Sequence, residues 1–169
     1  LGLVVSACYG VDRRLCDEIA GPAVERGWRL AITLTPNAER WLAASGELDR
    51  LTQLTDLPVR STSRLPSEPR PHPDPGCFLF VPASVNSVGK LALGLSDNQA
   101  LTVLCEAVGA PAVEVVVCPQ LSDAQAGHPA WPGHLATLRS AGVRIEPVTP
   151  DQPWTGVLDA LHSPPRAEP

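Results

Sequence analysis

Along this chain, short near-continuous apolar runs alternate with stretches in which apolar positions return every three or four residues. Residues 1–7, 28–35, 77–81, 113–118 and 143–148 are apolar and rich in β-branched side chains, which suits parallel strands covered on both faces. Helical spacing follows each run. Leu15, Ile19 and Ala23 follow the first and Ala38, Trp41 and Leu42 the second. Further helices are expected over residues 47–54, 88–95, 98–108, 132–141 and 154–161, with a brief strand at 58–62. Asp12 is expected to cap the first helix and Gly21-Pro22 to kink or divide it. Alternation of this kind predicts an α/β fold, a single-domain doubly wound parallel sheet of Rossmann-like type over residues 1–162, followed by a flexible tail at 163–169.

One segment interrupts the rhythm. Pro66, Pro69, Pro71, Pro73 and Pro75 crowd residues 64–76, which excludes a helix or a central strand and leaves an extended loop.

Composition then bounds the partners. With 169 residues, 44% of them hydrophobic, the chain can bury one core. A formal net charge of -5 opposes an electrostatic fit to nucleic acid or to an anionic membrane surface. No run reaches the roughly 20 apolar residues of a membrane span, and the amino end lacks a secretory signature, so a cytoplasmic protein is expected. The five cysteines, Cys8, Cys16, Cys77, Cys105 and Cys118, are odd in number and form no C-x-x-C pair, so neither zinc nor a disulfide framework is expected. Most lie in apolar runs, where a thiol behaves as a small hydrophobe.

Open parallel sheets bind ligands beyond the carboxyl ends of their strands, which selects residues 6–12, 33–37, 82–87 and 119–128 as candidate loops. Ser6 and Ala7 are small enough for a ligand to approach the backbone. Thr35 precedes a helix start, where free N–H groups favour a phosphate, although a threonine before Pro36 is also an ordinary helix cap. Pro82-Ala83-Ser84-Val85-Asn86-Ser87 sets a hydroxyl and an amide between a strand and a helix. Those groups suit a planar heterocycle, or else Ser84 or Asn86 simply caps the helix.

That hexapeptide resembles the P-A-S/T-x-N-T signature of the homo-oligomeric flavin-containing cysteine decarboxylases, a family that includes phosphopantothenoylcysteine decarboxylase and the peptidyl-cysteine decarboxylases of lantibiotic pathways. The likeness continues through Lys90-Leu91-Ala92-Leu93-Gly94-Leu95-Ser96-Asp97-Asn98, similar to K-x-A-x-G-x-x-D-N, and Thr35, Ala38 and Trp41 resemble T-x-x-A-x-x-F. The resemblance implies an FMN whose phosphate lies near Ser6, Ala7 and Thr35, and whose ring contacts Ser84, Asn86, Ser87, Asp97 and Asn98. It also implies a small-molecule or peptide substrate and a homo-oligomer, trimer or dodecamer.

Two departures shape the functional expectation. The family's active-site histidine lies upstream of the signature, where the proline-rich stretch now stands, and His72 is the nearby candidate base, with Asn86 as a second catalytic candidate. The family's P-x-M-N-x-x-M-W substrate clamp corresponds to Pro119-Gln120-Leu121-Ser122-Asp123-Ala124-Gln125-Ala126, which keeps only the proline, leaving Gln120 or Ser122 to supply replacement hydrogen bonds. His128 and His134 have no metal-ligand spacing, and Asp12, Asp17 and Glu18 read as a helix cap and a solvated first turn. The expectation is an FMN-dependent oxidative decarboxylase of a cysteine-containing small molecule or peptide. The alternatives are a flavoenzyme with another redox reaction, a non-catalytic FMN-binding subunit, or a site for another phosphorylated ligand.

Overall fold

The computed structural model describes residues 1–161; the expected tail at 163–169 lies outside the described residues. Five strands form one wholly parallel sheet: β1 (Gly2–Val5), β2 (Ala31–Leu34), β3 (Cys77–Ser84), β4 (Glu114–Gln120) and β5 (Arg144–Ile145). Their spatial order is β2-β1-β3-β4-β5. Consecutive strands thus step outward on opposite sides of β1, and the order reverses between β1 and β3.

Two apolar clusters cover the two faces. On one face Leu3, Val5, Ile32, Leu79 and Val116 pack with Leu15, Ile19, Leu42, Leu51 and Trp154. On the other, Val4, Phe80, Val115 and Val117 meet Val88, Leu101, Leu104 and Leu138. Burial on both sides accounts for strands that are apolar throughout rather than alternating.

The first helical layer begins with α1 (Val11–Leu15), passes through a π-helical turn (Cys16–Ala20) and ends with α2 (Gly21–Glu25). Pro22 has no N–H to give and its ring would meet the carbonyl four residues back. The preceding turn takes in an extra residue, and the Gly21 N–H bonds to the Cys16 carbonyl. The expected division at Gly21-Pro22 is therefore a change of helical pitch. The expected Asp12 cap is corrected: the cap position is Gly10, at φ 83, with no side-chain cap. A left-handed residue there favours glycine.

Thr35 caps α3 (Pro36–Ser45), its hydroxyl accepting from the Ala38 N–H at 3.3 Å. Ala38 and Leu42 are buried, but Trp41 of the expected apolar stripe stands 48% exposed. Gly46, at φ 80, ends α3 and opens α4 (Glu47–Gln53). The brief strand expected at 58–62 shrinks to one parallel bridge, Thr33 to Arg60. The proline-rich segment carries no helix or strand, as its composition requires.

The largest correction concerns residues 82–87, expected as a polar loop before a helix at 88–95. β3 instead runs on to Ser84, and α5 (Val85–Ala92) starts at the next residue. Beyond it lie α6 (Gln99–Val108), a short α7 (Asp123–Ala126), α8 (Trp131–Ser140) and a 3-10 helix (Trp154–Ala160). The strand expected at 143–148 keeps only two residues, since Val148 donates to Pro119 from outside the regular ladder.

Candidate functional site

The reversal of strand order brings the ends of β1 and β3 together, and the side chains there are serines. Ser6 is 1% exposed. Its hydroxyl donates to the Pro82 carbonyl at 3.0 Å and accepts from the Ser84 N–H at 2.8 Å, while its own N–H donates to Pro82 at 3.1 Å. Ser84 caps α5: its Oγ accepts from the Ser87 N–H at 3.3 Å and donates to Ser87 Oγ at 3.0 Å. Three of the expected cofactor-binding residues are thus wired into one strand-to-strand network. Thr35 joins it through the backbone, its N–H donating to Val5 at 2.9 Å. Ala7, partly exposed, follows Ser6 directly.

The remaining expected residues lie at the starts of α5 and α6. Asn86 is exposed in the first turn of α5. Asp97 pairs with Lys90 of α5 and accepts from Asn98 Nδ2 at 3.0 Å, while Asn98 Oδ1 caps α6 through the Leu101 N–H at 3.1 Å. Lys90 and the Asn98 amide hold the Asp97 carboxyl below the usual carboxylate range, the lysine contact being the larger cause. In this chain the pair therefore fastens α5 to α6.

His72 stands apart. Its Nε2 lies 2.7 Å from the Pro58 carbonyl, which can only accept, so Nε2–H is the donor and Nδ1 is left outside that bond. The ring lines a cavity of about 700 Å³ between the proline-rich segment, the β2 side of the sheet and α6, together with Arg60, Arg64, Arg70 and Gln99. None of Ser6, Ser84 or Ser87 lines that cavity. Within one chain, His72 and the serine network are separate.

The clamp region contains a residue whose importance is visible only in the fold. Ser122 is occupied by a capping box on α7, accepting from the Gln125 N–H at 3.3 Å while Gln125 Oε1 accepts from the Ser122 N–H at 3.0 Å. Gln120, two residues earlier, ends β4 as the register partner of Ser84 and is 8% exposed. Neither polar atom of its carboxamide has a hydrogen-bond partner among the described residues. An amide buried in this way costs about 1–3 kcal/mol until something satisfies it. In the sequence Gln120 and Ser122 were equal candidates in the clamp, and the hint at burial is a polar residue closing an apolar strand.

The other chemistry-bearing side chains are structural. His128 Nδ1 accepts from the Ala130 N–H at 3.2 Å in the turn before α8, and His134 on α8 packs beside Gly89 of α5. Asp17 pairs with Arg50. Glu18 pairs with Arg14 and accepts from the Trp154 N–H at 2.7 Å, and its carboxyl is lowered chiefly by that arginine. Cys8, in the loop after Ser6, is pushed up to about 12 by burial and stays a neutral thiol. No three His, Cys, Asp or Glu among the described residues converge as a metal set.

The flavoprotein family model matches residues 35–160, well over half of the chain. The chain belongs to the flavoprotein family. Solved structures agree on the architecture of this flavoprotein. The FMN-dependent cysteine decarboxylase TvaF from thioviridamide biosynthesis is 20% identical, with a TM-score of 0.65 over 94% of this chain and 93% of that one. The epidermin biosynthesis protein EpiD from Staphylococcus aureus is 17% identical, with a TM-score of 0.69 over 95% of this chain and 100% of that one. A PPC decarboxylase mutant complexed with pantothenoylaminoethenethiol is 18% identical, with a TM-score of 0.66 over 85% and 79%. Comparison with curated protein sequences gave no match. No helix among the described residues is long and apolar enough to cross a membrane.

Proposed function

We propose that this flavoprotein binds FMN at the carboxyl edge of β1, β2 and β3 and oxidatively decarboxylates a cysteine-containing small molecule or peptide. The observation that carries the reading is the serine network at the strand-order reversal, the place where sheets of this order take their ligands. Membership of the flavoprotein family supports the cofactor class, and the decarboxylases among the similar folds support the reaction.

The donor set fits a flavin. Ser6, Thr35 and Ser84 are neutral, small and held at strand ends, Ser87 lies in the first turn of α5, and the buried Gln120 carboxamide offers a donor and an acceptor with nothing to meet them. Ser6, Ala7 and Thr35 would hold the phosphate end, and Ser84, Asn86 and Ser87 the ring, with Asp97 and Asn98 at its border. FMN bound there supplies a two-electron acceptor. The substrate's cysteine gives up two electrons and two protons, one from sulfur and one from the β-carbon, and the resulting thioaldehyde favours loss of the neighbouring carboxylate as carbon dioxide.

His72 is assigned as the base, through Nδ1, and Asn86 as the residue that orients flavin or substrate. Because His72 lies apart from the serine network of its own chain, it would serve the site of another copy, which agrees with a homo-oligomer, trimer or dodecamer. Exposed Tyr9, Trp41, Leu65, Leu93 and Leu95 supply apolar surface for such an assembly. A cytoplasmic setting completes the proposal.

The absorbance spectrum of the purified chain, recorded before and after anaerobic addition of cysteine-terminated peptides, tests this reading. Bound FMN that bleaches with release of carbon dioxide supports decarboxylation. FMN that stays oxidised removes this substrate class, and a chain that cannot be loaded with FMN removes the proposal. His72→Ala is expected to lower turnover by about 10²–10⁴ while FMN remains bound; unchanged turnover would remove His72 as the base.

A further inference from the structure

Gln120 is the one residue among the described set whose side chain is buried with both polar atoms orphaned. The other buried orphan, Glu47 Oε2, belongs to a carboxylate whose Oε1 is already held by Arg50 at 2.5 Å. Two polar neighbours, Ser122 two residues on and Ser84 in register on β3, bond elsewhere: Ser122 closes the capping box of α7, and the Ser84 hydroxyl bonds to Ser87. By strand alternation Gln120 shares the face of Val116 and Cys118, and it sits beside Ser84, one strand spacing of about 4.8 Å away. It therefore lies at the carboxyl edge of the sheet, next to the serine network.

The chemistry of the missing partner follows from the carboxamide. Nε2 needs an acceptor and Oε1 needs a donor, side by side. A phosphate offers acceptors only and would leave Oε1 unmet. The pyrimidine edge of a flavin carries carbonyl, N–H and carbonyl in sequence, which meets both requirements in one plane. We propose that the Gln120 carboxamide recognises the pyrimidine edge of the flavin ring, with Nε2–H donating to a ring carbonyl and Oε1 accepting from the ring N–H. The inference rests on the proposal that this edge of the sheet holds FMN, and it assigns the ring end of that site to a residue outside the serine motif.

The test uses the full chain stripped of flavin and titrated with FMN, riboflavin and lumiflavin, for the wild type, Gln120→Met and Gln120→Ala. Gln120→Met is expected to weaken all three flavins by a similar factor of about ten, because all three share the ring. The flavin-free variant should melt at the same temperature as the wild type or higher, since an unsatisfied amide has been removed. A loss seen with FMN and riboflavin but absent with lumiflavin would move the contact to the ribityl chain and overturn the assignment. So would a flavin-free variant that melts lower, which would give Gln120 a purely structural role. Gln120→Ala cannot crowd the site, so full affinity in that variant would mark the Met effect as steric and overturn the inference as well. A wild-type chain that binds no flavin overturns both readings, whereas wild-type binding with unchanged variant affinity overturns this one alone.

Discussion

Residues 82–87 and residues 61–76 both interrupt the apolar rhythm of the chain with proline and small polar side chains, yet the fold treats them oppositely. The first becomes the end of a central strand and the start of a helix, with its hydroxyls bonded across to β1. The second forms neither helix nor strand and is held by scattered contacts: Arg70 to Asp74, Arg64 to the Leu65, Pro66 and Glu68 carbonyls, His72 to Pro58. Composition accounts for the second, whose five prolines bar a helix or central strand. Neighbours account for the first, which lies between β1 and β4, where every backbone group needs a partner.

Changes in the two regions should therefore differ in cost. Ser6→Ala has the largest expected effect, because it strips the Ser84 N–H of its acceptor and removes the hydroxyl bridge between the two strand ends, leaving only backbone bonds. A loss of about 1–3 kcal/mol should appear as a lower urea midpoint with an unchanged slope; a loss under about 0.5 kcal/mol would mean that the serine network is not what joins the strand ends. Asp97→Asn should cost less and show a pH signature. The Asp97 carboxyl is held below its usual range by Lys90, so its contribution is present above the ordinary aspartate value and is lost as pH falls through the depressed one. The variant should be the less stable at neutral pH, with the gap closing in acid; a gap that stays constant would rule out the ion pair as its source. His72→Ala should change stability least, within about 0.5 kcal/mol. A large loss of stability would show that the proline-rich segment depends on the His72 contact with Pro58.

Much of the architecture was legible because its causes are local. Strands buried on both faces must be apolar throughout, and the helices after them carry their period in Leu15, Ile19, Ala38 and Leu42. The serine site was legible in part through Ser84, which with Asn86 was a candidate helix cap whatever the ligand, and which the structure shows capping α5. The boundaries around 82–88 were not, since proline suggests a break unless the partner strands are known. The bonds of Asp97 to Lys90 and of Asn98 to the start of α6 were not legible either, since they depend on how two helices meet. Gln120 and Ser122 were equivalent in the sequence; only the register of β4 with β3 shows that one is buried with nothing to bond and the other occupied by a helix of four residues.

The outer edge of β2 has a consequence for how copies of this chain can associate. Three groups along it are already taken by residues outside any strand: Arg60 donates to Ile32 and accepts from Leu34, and the Thr55 hydroxyl donates to Leu30 at 2.6 Å. At the opposite margin β5 is two residues long. Neither margin offers a foreign strand a continuous row of free donors and acceptors, which guards the sheet against edge-to-edge aggregation. Any contact between copies is thereby left to the helical faces and loops, which offer no open-ended strand-to-strand stack.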